Sequence, residues 1–306
     1  MFVLSIFFYS LSYACFSGTD EAVVYDTSRE LGEDTHSLRR LGQYSAAEKI
    51  FKIVTPLAGA LVAKDLMDWQ FNILLVVDTL AAILALVISL YIVEPKQYFK
   101  VEKVEAGVFR DAVKLIKNNP SMMRAMLNRA FVFTSVFLVW RYHQELFTSI
   151  GTPIIALGIG WSLFNFIVTV LNFYIHLLWP KQSLMTKINF LNFLTLFFVV
   201  IFLIALYFKV SYYWVLLIYF CVNIAENMRW PIFSDLFNKY SNSYNRATTL
   251  SLSNLIKSIF DIPLLFVTSL LVTRGLVYPI YFTLAIIFLS CIFLYLPKKL
   301  EFENKF

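Results

Sequence analysis

The chain has 306 residues, of which 59% are hydrophobic, 18% aromatic and only 15% charged. A soluble domain carries about 25% charged residues, so this composition excludes a soluble globular protein and points to a polytopic membrane protein. The net charge of +6 does not indicate nucleic acid, because most Lys and Arg fall in short segments between apolar runs, the pattern of cytoplasmic loops.

A membrane helix needs about 20 apolar residues, and in chain order about nine stretches qualify. They are 2–27, 44–63, 69–93, 125–147, 153–179, 188–208, 211–238, 248–273 and 275–296. The first opens with "MFVLSIFFYSLSYACF", has no Lys or Arg ahead of it, and so lacks the basic segment of a cleaved signal. It then runs into Asp20, Glu21 and Asp26. Lys64, Asp65 and Asp68 separate the second and third stretches, Gly151 and Pro153 the fourth and fifth, and "WPKQ" ends the fifth.

Alternate connections differ sharply in charge. One set holds Arg29, Arg39, Arg40, Lys96, Arg110, Lys181, Lys239, Arg246 and Lys298, among others, whereas the opposite set holds only Lys64, Lys209 and Arg274. The positive-inside rule puts the first set and the C-terminus in the cytoplasm, with the N-terminus outside and the chain in the cell membrane.

The longest connection, 95–124, contains "AGVFRDAVKLIKNNP". Val108, Phe109, Ala112, Val113 and Ile116 share one face at helical spacing, with Arg110, Lys114 and Lys117 elsewhere. This reads as an amphipathic helix on the inner membrane surface, the alternative being a solvated linker helix. The domains are then a partial N-terminal bundle of three membrane helices at 1–94, the cytoplasmic linker at 95–124, and a six-helix bundle at 125–306. A weak repeat supports two bundles: Arg40 is followed by Ser45 and Pro56, and Arg246 at matching spacing by Ser251 and Pro263. Parallel repeats are one construction of secondary transporters.

"SGTDEAVVYDTSRELG" followed by "RRLGQYSAAEKIF" resembles the fourth helix, the 4–5 loop and the start of the fifth helix of a major facilitator superfamily (MFS) transporter. "AVKLIKNNPSMMRAML" resembles its central loop entering helix seven, and "YHQELFTSIGTPIIALGIGW" the turn between helices seven and eight. "FNKYSNSYNRATTLSLSNLIKSI" resembles the 10–11 loop. The resemblance implies an all-α polytopic membrane protein, an MFS-like helical bundle whose stretches match helices four to twelve of a twelve-helix fold. That is an incomplete N-terminal half plus a complete six-helix C-terminal half. The 2–3 loop with the family's Gly-Asp-Arg signature is not represented, and "HLLWPKQSLMTK" in the 8–9 loop lacks a clear copy of it. The implied activity is secondary transport of a small molecule across the lipid bilayer, as permease or exporter, driven by a gradient of protons or another ion. The alternatives are a non-transporting remnant of such a gene and, more remotely, a membrane-embedded enzyme.

Ionisable residues within membrane spans are costly and mark functional candidates. The resemblance implies that helices one, four, seven and ten line the central cavity, here the stretches 2–27, 125–147 and 211–238. The substrate-cavity candidates are therefore Asp20 and Glu21, Arg141 and His143 with nearby Glu145, and Glu226 and Arg229. Glu226 and Arg229 lie three apart and share a helix face, either as a substrate or proton site or as a structural ion pair. Pro231 should kink their helix. The resemblance further implies that Asp26 is half of a gating pair whose basic partner, in the 2–3 loop, has no counterpart here. Arg40, Arg246, Pro231 and Pro263 are the other gating or structural candidates. Glu48, Lys49, Lys52 and Lys257 begin their spans and are read as snorkelling to the interface. No nucleotide-binding Gly-rich loop, histidine cluster or catalytic constellation is recognisable, so no cofactor, metal or enzymatic activity is expected.

Overall fold

The computed structural model describes residues 2–16, 19–33, 36–62, 67–93, 116–241 and 245–297, with isolated positions 95, 110, 113 and 114. Helices joined by turns account for the described residues, and no strand occurs among them. The first expected span is two helices, α1 (Phe2–Phe16) and α2 (Thr19–Glu30). Composition explains the division. α1 is apolar throughout, whereas α2 is polar and buries a single stripe of Glu21, Ala22, Tyr25, Asp26 and Ser28. Asp20 and Glu21 in its first turn and Arg29 in its last suit the helix dipole.

α3 (Ser37–Val62) continues through Pro56 without interruption. α4 (Asp68–Ser89) starts where the Gln70 side chain accepts the Met67 N–H at 3.0 Å, and it buries only Gln70. α5 (Pro120–Arg141) is capped by Asn119, whose side chain accepts the Met122 N–H at 3.1 Å, with Pro120 in the first turn where no donor is needed. α6 (His143–Ser149) closes on Gly151, whose φ of +78° lets Thr152 N–H reach the Phe147 carbonyl at 2.9 Å. Then follow α7 (Ile154–Phe173) and α8 (Leu184–Tyr207), the latter capped by Ser183.

The stretch expected at 211–238 is also divided, into α9 (Tyr212–Asn227) and α10 (Arg229–Lys239). Pro231 has no N–H to give the Asn227 carbonyl, and its ring crowds that carbonyl. Met228 between them keeps φ −64° and ψ −21°, so the feature is a kink. α11 (Arg246–Val272) passes Pro263 unbroken, and α12 (Tyr278–Phe293) completes the set. Among the described residues, α4, α5, α7 from Ile155, α8 and α11 are long and apolar enough to cross a membrane. The other expected spans are built from shorter helices or, in α3, from a more polar one.

α3 lies along α7, the most extensive pairing in the molecule, while α5 packs on α11 and α12, and α8 on α9 and α12. The α3–α7 approach is made possible by small residues. Gly42 faces the Asn172 carbonyl so closely that a Cβ there would sit 2.3 Å from it, and beside it Ser45 accepts from the Asn172 side chain at 3.0 Å. One core cluster gathers Phe147, Phe202, Tyr219 and Phe220. The second gathers Met126, Ile188, Phe233 and Phe237 and draws in Ala22 from α2. Most of the stretch expected to form the amphipathic linker helix lies outside the described residues. Of its apolar face, Ile116 is buried in the second cluster, whereas Val113 is exposed. Ile116 thus packs against protein.

Candidate functional site

A cavity of about 720 Å³ lies between α3 on one side and α5, α6, α7, α9, α10 and α11 on the other. One wall is aromatic, from Phe133, Phe137, Trp140, Trp161, Phe164 and Trp230. The ionic lining comes from both sides, Glu48, Lys49 and Lys52 on α3 and Glu226 and Lys257 on the side that carries the rings. The rings hold one another: Phe137 stacks on Trp140 at 5.1 Å, and Trp161 meets Phe164 and Phe220 edge-on at 5.2 and 5.3 Å. Such contacts fix ring positions ahead of any ligand.

Beneath the cavity, toward the end that carries Arg29, Arg40, Lys239 and Arg246, polar contacts tie α2 and α3 to the C-terminal helices. Ser37 donates to Asp235 at 2.5 Å, Ser234 donates to Glu21, and Arg246 forms an ion pair with Asp26. The Asn172–Ser45 bond joins this layer. Arg246 also donates to the carbonyls of Asn238 and Ser241 at 3.3 and 3.2 Å and lies over the Tyr25 ring at 4.3 Å. A cavity at mid-depth, with its two flanks latched below, can hold a small molecule away from that end.

Residues 1–262 match the sequence profile of the Major Facilitator Superfamily. The chain belongs to this superfamily. A comparison with curated proteins finds no match. As a superfamily member the chain is a multi-pass, all-helical membrane protein of the transporter class, and its expected site residues are spread over several places.

Glu226 and His143 line the cavity. His143 Nδ1 meets the Trp140 carbonyl, and its Nε2 accepts from Trp161 Nε1 at 3.2 Å, so a ring with its proton on Nδ1 satisfies both contacts. Arg229 lies behind Glu226, only 1% exposed, 4.0 Å from its carboxylate. It donates to the Asn128 side chain at 3.0 Å, and that oxygen also accepts from Asn192 at 3.1 Å. Arg229 is therefore anchored inside the MFS C-terminal bundle while Glu226 faces the cavity.

Asp20 and Glu21, expected in the cavity wall, are not in it. Asp20 accepts from Tyr44 at 2.5 Å, and Glu21 is buried against Ser234. α2 turns its buried stripe onto α3, α10 and α11 and so presents both acids to those helices. Arg141 pairs with Asp261 at 3.1 Å and covers the Phe137 ring at 4.7 Å, at the far end of α5. Asp26 was expected to lack its basic partner; Arg246, from the distant 10–11 connection, provides one. Arg40 does not mirror Arg246. It forms a two-pronged contact with Glu33 at 2.6 and 2.8 Å, local to its own loop.

The residues that the sequence reading left at the interface, Glu48, Lys49, Lys52 and Lys257, line the cavity instead. Depth was the available signal. Lys257 comes about ten residues, roughly 15 Å, into its span, beyond the usual reach of snorkelling.

Glu226→Gln should lower stability by only about 1–2 kcal/mol, because Arg229 keeps its Asn128 contacts and the glutamine remains a hydrogen-bonding group. Arg229→Gln should cost more, about 3–5 kcal/mol, because it removes the nearest cation of a buried carboxylate together with the buried contacts to Asn128. Thermal unfolding of the two variants in detergent checks the order; a larger loss for Glu226→Gln would refute the division of roles.

Proposed function

We propose that the chain is a secondary transporter that moves a small molecule across the cell membrane by alternating access, driven by a gradient of protons or another ion. The single observation behind this reading is the cavity between α3 and the C-terminal helices, with an aromatic and an ionic lining. Its 720 Å³ lies in the range, about 300–1,000 Å³, of sites that enclose drug-sized ligands. On this reading Glu226 and His143 belong to the substrate site. Arg229 positions Glu226, and Asp26 with Arg246 forms the latch below. Residues 1–94, 95–124 and 125–306 act as a first bundle, a linker and a second bundle. The charge asymmetry of the connections supports a cytoplasmic C-terminus.

Broad exposure favours a second reading, a non-transporting member of the superfamily. In their most apolar windows α4 buries nothing and α11 only 6%, so both helices stand at the outside of the bundle. Reconstitution separates the two readings. Proteoliposomes containing the chain, with an imposed pH gradient, are offered a panel of labelled sugars, amphipathic cations and aromatic acids. Gradient-dependent uptake of one class, abolished by Glu226→Gln, is expected. Absence of uptake of every class, with the protein correctly folded, favours the second reading.

A further inference from the structure

The cavity wall carries more positive charge than its acids can neutralise. Glu48 is occupied by Lys52, one turn along α3 at 2.7 Å. Glu226 is claimed from behind by Arg229 at 4.0 Å, and Lys49, Lys257 and Arg129 all lie within electrostatic reach of the same carboxylate. Glu21, buried on Ser234, faces Arg129 from below, and Arg129 itself stacks on Trp230 at 4.0 Å. Asp261, one turn beyond Lys257, is held by Arg141. Lys49 and Lys257 remain, on helices flanking the cavity. Among the described residues neither forms an ion pair within 4.0 Å; Lys49 shares Glu48 with Lys52, and both lysines share Glu226 with Arg229. Lys257 leans over the Phe133 ring at 4.4 Å, a contact ammonium groups make with a π-face.

An ammonium group held at membrane depth with only a shared counter-charge is costly, and a bound anion lowers that cost. An ammonium substrate would meet the reverse situation, competing with Lys49, Lys257 and Arg229 for Glu226 alone. The same cavity is lined by the rings of Phe137, Trp140, Trp161 and Phe164, packed against one another and apolar. We infer that the cavity takes small organic anions with an aromatic body, the anionic group between Lys49 and Lys257 and the ring against Trp140 and Trp161. This inference rests on the transporter reading for its site, and its test does not depend on flux.

The test uses three probes of equal body and different head, 3-phenylpropanoate, 3-phenylpropan-1-ol and 3-phenylpropylamine, titrated against the purified full chain in detergent by tryptophan fluorescence. The carboxylate should bind at least about tenfold more tightly than the amine. The Lys49→Gln/Lys257→Gln double variant should bind it about tenfold more weakly and leave the alcohol unchanged. Glu226→Gln should keep or strengthen carboxylate binding, which a general loss of folding could not do. Tighter binding of the amine, binding indifferent to the head group, or no saturable binding of any probe up to ~10 mM overturns the inference. Flux of the amine in proteoliposomes also overturns it while supporting transport. Carboxylate-selective binding without flux supports it and counts against transport.

Discussion

Removing the Asp26 carboxylate, as in Asp26→Ala, is expected to destabilise the protein by about 3–5 kcal/mol. The magnitude follows from burial. The Arg246 side chain is 2% exposed and Asp26 12% exposed, so the cation cannot recover the lost partner from water. Its remaining contacts, the Asn238 and Ser241 carbonyls and the Tyr25 ring, hold it in place but do not cancel its charge. Asp26→Asn should fall between wild type and alanine, since an amide oxygen still accepts. The unfolding midpoint of the alanine variant in detergent should drop by roughly 6–10 °C, taking about 2 °C per kcal/mol for a chain of this size. Arg246→Met, which removes the cation and leaves a less buried acid, should cost less. The proposed latch adds a second readout: the pair joins α2 to α11 across the base of the cavity, so the same alanine variant should expose the cavity more readily from that end. An Asp26→Ala midpoint within about 1 °C of wild type would mean that the pair carries little of the fold, contrary to its burial.

A single methyl group at position 42 is expected to damage the fold as severely. In Gly42→Ala the new Cβ would lie 2.3 Å from the Asn172 carbonyl oxygen and 2.4 Å from Ile175 Cγ2. The first of these neighbours is backbone, so relief requires moving α3 away from α7. That movement breaks the Ser45–Asn172 hydrogen bond and opens the largest helix pairing in the molecule. Overpacking of this kind costs about 1–3 kcal/mol and more where backbone must move; a loss of at least ~3 kcal/mol is expected at this position. Gly59→Ala on the same helix is the control. Among the described residues nothing lies within 4 Å of its Cβ position, so the change should stabilise α3 by about 0.5–1 kcal/mol through helix propensity. Opposite signs for the two substitutions, read by thermal unfolding and by the fraction of monodisperse protein on size exclusion, are the expected outcome. Equal tolerance at both positions would show that α3 does not seat on α7 as closely as described.

The helical, membrane-spanning character of the chain was readable from apolar run lengths, because burial in lipid demands about 20 apolar residues whatever the tertiary contacts. The division of 2–27 was partly readable, since the apolar run stops where Asp20 and Glu21 begin. The kink near Pro231 followed from the missing N–H. The composition of the site was harder to read. Glu226 and His143 stood out as ionisable groups inside apolar runs. Lys49 did not, because a lysine near a span end has an inexpensive alternative in snorkelling, and only tertiary packing decides between the two; for Lys257 the depth in its span was the signal. Asp26 and Arg246 are far apart in the chain, and nothing local to either announces the other. Arg40, which matched Arg246 in spacing, found a nearer acid in Glu33 and had no need to cross the interface.

The kink between α9 and α10 has a lasting consequence for the main chain itself. The Asn227 carbonyl would ordinarily accept from the N–H four residues ahead, and that residue is Pro231. Proline has no such hydrogen, so no rotation, closure or straightening can ever restore the bond. Asn227 also lines the cavity, beside Glu226. In every conformation the chain visits, this oxygen must therefore find its donor outside the regular i to i+4 ladder, from a shifted backbone N–H, a side chain, water or a bound molecule. The break in the ladder thus falls at a residue that lines the cavity, and substitution of the Asn227 side chain cannot remove it.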